Sequence, residues 1–213
     1  MVGAVEEVHV LDLEPERLLA AEGLGSCGER QDAAALAGAL KAEKSPLLRL
    51  ADAGALLKLA SGDPAVLAEQ SLSWAQASLN DDNWAVRESA VALLGDADPA
   101  AAVPLLGQAI KDQRAEVRKS AAQALGRTKY KPALAVLSQA IGDDSKDVRM
   151  NVLRSIGKVN TDLVKKGETG IDGELRSKVA AELTKRADTG DPTEQVVAAA
   201  TLLRIGDDSR KDK

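Results

Sequence analysis

Apolar residues recur at helical spacing along most of the chain. Val86, Ala90, Leu93 and Leu94 stand at i, i+4, i+7 and i+8, with polar residues between them, which predicts one face of an amphipathic helix. The same stripe returns twice without gaps. LNDDNWAVRESAVALLG from Leu79, IKDQRAEVRKSAAQALG from Ile110 and IGDDSKDVRMNVLRSIG from Ile141 align at a spacing of 31 residues. The matched columns are Leu79/Ile110/Ile141, Asp81/Asp112/Asp143, Val86/Val117/Val148, Arg87/Arg118/Arg149, Ala90/Ala121/Val152, Leu94/Leu125/Ile156 and Gly95/Gly126/Gly157. A fixed period of this size marks stacked supersecondary units.

Each unit reads as two helices. First helices are predicted at 64–79, 99–111 and 132–141, and second helices at 83–94, 114–125 and 146–156. Asp63-Pro64 and Asp98-Pro99 supply a capping carboxylate followed by a proline at the first helical position. The glycine ending each second helix, Gly95, Gly126 or Gly157, predicts a left-handed C-terminal cap. Weaker copies flank this centre: 30–43 with 46–60, and 174–187 with 192–205, the latter opened by Asp191-Pro192 and closed by Gly206. The polar stretch 160–173 reads as a long connection.

One helix pair cannot bury both apolar faces alone, so neighbours must stack. The expected fold is all-α: a right-handed α-solenoid of about five antiparallel helix pairs. The expected organisation is an N-terminal cap segment and Gly-rich loop over 1–28, the repeat array over 29–206 and a charged tail over 207–213. Composition agrees, since the 213 residues include two Trp, one Tyr and no Phe, and Ala with Leu can pack closely spaced helices.

The Asp in each turn is followed six residues later by Arg, as Asp81/Arg87, Asp112/Arg118 and Asp143/Arg149, and Pro104 stands eight residues before Asp112. On these residues the chain resembles bacterial HEAT repeats, in particular the short form of phycobilin lyase subunits. Ser73 and Ala135 occupy the slots where the family has its other first-helix prolines. The resemblance covers 30–206 and is strongest over 66–157. It implies an α-solenoid whose Asp and Arg ladders tie repeats together, with second helices lining a concave face. It also implies an alternative function, a lyase-like or chaperone-type assistant for tetrapyrrole (bilin) attachment.

Charge and chemistry narrow the function. The net charge of −5 supplies no large positive field for phosphates, and three aromatics offer little for base stacking. A HEAT-like nucleic-acid-binding protein or DNA glycosylase is therefore the weakest reading, and neither nucleic acid nor membrane is an expected partner. Gly23-Leu24-Gly25-Ser26-Cys27-Gly28 has the dinucleotide-fingerprint spacing but lacks the preceding strand, so it reads as a loop. His9 is the only histidine and Cys27 the only cysteine, and neither has a catalytic or metal-binding partner at a defined spacing. The pairs Asp81-Asp82, Asp143-Asp144 and Asp207-Asp208 lack calcium-loop alternation and read as helix caps. No cofactor is called for.

Position 84 and its i+4 successors face away from the core columns, which places Trp84 and Glu88, Lys119 and Gln123, and Lys146, Met150 and Arg154 on the candidate binding strip. These positions vary between units while the core columns do not, as suits recognition. The expected function is a non-enzymatic protein–protein interaction scaffold in the cytoplasm. Its partner would be a protein or peptide with an acidic segment. A monomer is expected, with dimerisation through the C-terminal repeat as the alternative.

Overall fold

The computed structural model describes residues 43–59 and 64–206, with isolated positions between 17 and 38, and side chains are described outside 57–70. His9, Cys27, Asp63 and the tail 207–213 fall outside the described residues, as do the 1–28 segment and the expected helix at 30–43 apart from isolated positions. The chain divides into two compact units, Met1–Ala97 and Asp98–Lys213.

The first unit contains α1 (Pro46–Leu59), α2 (Pro64–Ser78) and α3 (Trp84–Leu94), each packed against the other two. Leu56, Val91 and Leu94 are fully buried among them. The second unit contains α4 (Pro99–Ala109), α5 (Ala115–Arg127), α6 (Pro132–Ser138), α7 (Lys146–Lys165), α8 (Gly173–Thr189) and α9 (Pro192–Arg204). Here the first helices α4, α6 and α8 pack side by side in one layer, and the second helices α5, α7 and α9 in another. The predicted cap chemistry operates at two starts. The Asp98 carboxylate accepts the Ala101 N–H at 3.1 Å, and Asp191 accepts those of Thr193 and Glu194 at 3.0 and 3.2 Å.

The core of the second unit is aliphatic: Leu106, Leu125, Leu134, Leu137, Leu153, Ile156, Leu163, Leu183 and Leu202 are all buried. Each such burial contributes roughly 1.5–3 kcal/mol relative to exposure.

The glycine column does not terminate helices in the expected way. Gly95 caps α3 in the right-handed conformation (φ −66°, ψ −19°), while Gly126 and Gly157 lie inside α5 and α7. At the latter two the reason for glycine is contact. A Cβ on Gly126 would stand 2.8 Å from Ser155 Cβ, and one on Gly157 would stand 3.0 Å from Arg204 Cδ. These glycines let α5 approach α7, and α7 approach α9. Gly206 alone among the four anticipated terminators is left-handed (φ +74°).

Because Gly157 does not stop it, α7 runs nine residues beyond the expected end at 156, to Lys165. The stretch 160–173 is thus half helix, and its remaining turn is anchored. The buried Asn160 accepts the Ile171 N–H at 2.7 Å and donates to the Arg204 carbonyl at 2.7 Å.

Arginines tie successive repeats together. Arg118 in α5 donates from Nε and Nη2 to the Asp143 carboxylate at 2.7 and 2.9 Å, and from Nη1 to the Asp112 carbonyl at 2.8 Å. Arg149 in α7 repeats the arrangement: Nη1 reaches the Asp143 carbonyl at 2.8 Å, while Nε and Nη2 reach Glu194 at 2.7 and 3.2 Å. In the first unit, Arg87 Nη1 donates to the carbonyls of Asp81 and Asp82 at 2.8 and 3.1 Å. The Asp side chains shape the turns, since Asp81, Asp112 and Asp143 each accept, at 2.8 Å, the N–H two residues on.

Burial by itself would raise the Asp143 carboxyl. The Arg118 hydrogen bonds, the Ser145 N–H and the charges of Arg118 and Arg149 outweigh it and hold the group below the ordinary aspartate range. A depressed folded-state value stabilises the fold above the unfolded value of about 3.9, and this stability is lost as pH falls through the folded value. Asp143→Asn is therefore expected to lower stability at pH 7 by about 1–3 kcal/mol. In urea titrations the difference from wild type should shrink below pH 4. A difference that stays constant down to pH 2 would contradict this role.

Candidate functional site

The outward stripe of the second-helix layer follows a 4-3-4 step rather than repeated steps of four. On α7 the side chains on the open side are Asp147, Asn151, Arg154 and Lys158, and on α5 they are Glu116, Ser120, Gln123 and Arg127. The physical reason is helical pitch. Each i+4 step advances about 40° around the axis. A run of such steps therefore starts or ends under a neighbouring helix, and α7 has neighbours on both sides.

This corrects one expected site residue. Met150 is only 5% exposed and belongs to the packed layer. Asn151 takes the outward place, accepts from Gln123 Nε2 at 2.9 Å and donates to the Asp147 carbonyl at 2.8 Å. The other anticipated residues divide by what they touch. Lys119 is half-buried, and Lys146 pairs with Asp191 at 2.9 Å. Arg154 is exposed, with no hydrogen bond or ion pair among the described residues. In the first unit Trp84 opens α3 and is 38% exposed, while Glu88 is half-buried.

Extension of α7 adds side chains that a helix ending at 156 would have left in a loop. Arg154, Lys158, Asp162 and Lys165 form one stripe, and with Val196 and Arg204 of α9 they line a groove of about 520 Å³. Val196 is 68% exposed. A smaller cavity of about 240 Å³ continues from Arg154 and Lys158 toward Gln123 and Arg127 on α5. Neither Lys158, Lys165, Arg127 nor Arg204 has an ion pair among the described residues. The sequence did carry the signal: Val152, Ile156, Val159 and Leu163 continue the buried face past Gly157 at steps of four, three and four.

Among the described residues, no group of His, Cys, Asp and Glu could hold a metal ion, and no helix is long and apolar enough to cross a membrane. The acidic pairs at 81–82 and 143–144 shape turns: Asp81 and Asp143 accept from following N–H groups, and all four carbonyls receive an arginine.

The family profile of HEAT repeats matches residues 71–157 and 109–203. The chain belongs to the HEAT-repeat family. For this HEAT-repeat chain no match was found among curated proteins. Two similar solved structures are products of engineering. One is an engineered protein from the Northeast Structural Genomics Consortium, 18% identical, with a TM-score of 0.53 and coverage of 88% of this chain and 89% of that one. The other is a designed armadillo repeat protein in complex with the peptide (KR)4, 18% identical, with a TM-score of 0.57 and coverage of 88% and 91%. At this identity they show the fold alone, an all-helical α-solenoid.

Proposed function

We propose that the chain is a non-enzymatic binding module that engages a protein or peptide through the outward faces of its second helices. The observation carrying this reading is the contrast between two sets of arginines. Arg118 and Arg149 are turned into the layer and fully engaged, whereas Arg127, Arg154 and Arg204 border open grooves with no ion pair among the described residues. The ladder arginines are thus occupied by structure, while those at the grooves can offer their charge to a partner's carboxylates. The designed armadillo neighbour carries a peptide of lysines and arginines; the surplus charge here calls for the opposite sign. In the first unit, taken by itself, the 38% exposed Trp84 is a separate candidate contact.

Affinity capture on the immobilised full chain, followed by mass spectrometry, identifies the partner. Arg154→Ala, alone and combined with Trp84→Ala as a separate contact in the first unit, is expected to weaken that partner, at least tenfold for the double variant, while circular dichroism stays unchanged. Undiminished binding by a fully helical double variant overturns the assignment.

A further inference from the structure

We propose that the groove between α7 and α9 binds an extended peptide with an apolar anchor at one end and acidic residues at the other, an inference that rests on the second-helix face being the binding surface. The groove is polarised along its length. Three contacts set the register of the two helices: Arg149 bonds Glu194, Thr201 Oγ1 donates to the Leu153 carbonyl, and Asn160 donates to the Arg204 carbonyl. The helices therefore run parallel. Val196 lies toward the start of the groove near Arg154, while Arg204 lies beside the 157–160 turn, level with Lys158.

The first end offers an exposed valine beside a single cation, Arg154, and the second offers three, Lys158, Lys165 and Arg204, with no ion pair among the described residues. Such a juxtaposition selects an occupant with both characters: an apolar side chain covers Val196, and carboxylates meet the cations. From Arg154 to Lys165 the helix rises roughly 16 Å, the span of about five extended residues.

Asp162 decides between a peptide and a nucleic acid. It sits between Lys158 and Lys165 on the same stripe, and its Oδ2 is buried without a hydrogen-bond partner. An evenly charged phosphate backbone would set a like charge against it. A peptide can place an uncharged residue there, with acidic residues on either side. The groove has no aromatic side chain in its lining on which a base could stack.

The test is a chemical-shift titration of the isotope-labelled full chain with short synthetic peptides in Gly/Ser flanks. The first contains Leu-Val-Glu-Ser-Glu, the second has both Glu replaced by Gln, and the third has Leu-Val replaced by Gly-Gly. The first should shift resonances within 154–165 and 196–204, and its affinity should fall as salt rises. Each control should bind at least tenfold more weakly. Lys158→Glu with Lys165→Glu, an exposed pair, should abolish the shifts without loss of helicity. Absence of shifts at millimolar peptide, equal binding of the Gln peptide, or tighter binding of an oligothymidylate each overturns the proposal. A captured partner that still depends on Arg154 while the peptides leave the groove unshifted would uphold the binding face and refute only this chemistry.

Discussion

Arg149→Ala is expected to lower the unfolding free energy by about 3–5 kcal/mol, the range for removing one partner of a buried ion pair. The Glu194 side chain is only 3% exposed, and Arg149 supplies both of its short contacts. The remaining cation, Arg186, stands 3.8 Å away, at the edge of ion-pair distance. The substitution also strips a donor from the carbonyls of Asp143 and Asp144. Repeat stability is largely a sum of nearest-neighbour interfaces, so the damage should be local. Hydrogen exchange should accelerate across 192–204 much more than across 115–127. Arg149→Met with Glu194→Leu should recover most of the loss, because an apolar pair leaves no stranded charge. A urea titration in which Arg149→Ala costs less than about 1 kcal/mol, the level of an exposed pair, would refute this account.

Gly126→Ala sets two effects against each other. In an exposed helix interior, alanine is favoured over glycine by about 1 kcal/mol. Here the new methyl would meet Ser155 Cβ at 2.8 Å and Ser155 Cα at 3.2 Å. Backbone cannot swing aside as a lysine tip can, and overpacking typically costs about 1–3 kcal/mol or more. The clash is expected to win, with a net loss of about 2 kcal/mol. In a Ser155→Gly background the Oγ and Cβ contacts are gone and only the 3.2 Å approach to Cα remains, so the same substitution should cost at least about 1 kcal/mol less. That relief separates a packing role from a conformational one. If Gly126→Ala stabilises the wild-type chain, close approach of α5 and α7 is not what selects glycine.

Much of the fold was legible in the sequence because its determinants are local. The 31-residue period, the Asp-Pro starts and the i, i+4, i+7 apolar faces predict α2 to α9 with ends displaced by a few residues, except at α7. The candidate site was read less well. The exposed position of Arg154 was legible from its register, but Lys158, Lys165 and Arg204 were not picked as candidates. Reading Gly157 as a cap ended α7 too early and hid the groove that follows.

Glu194 escaped for a different reason. It lies 45 residues from Arg149, outside the repeating Asp column, and nothing in local spacing pairs them. Its local signal was ambiguous: an acidic residue three positions after Asp191 serves equally well in a helix start.

By itself the sequence determined the repeat period, the helix pairs, the turn aspartates and an aliphatic core without Phe, since each follows from neighbours within about two helical turns. Tertiary structure alone decided which edge of each outward stripe is covered, why Gly126 and Gly157 must be glycine, and which carboxylate each ladder arginine reaches. Those outcomes depend on how closely one helix lies against the next. A helical stripe records that a face is apolar, but the helices packed beside it set where that face ends and where a partner can begin.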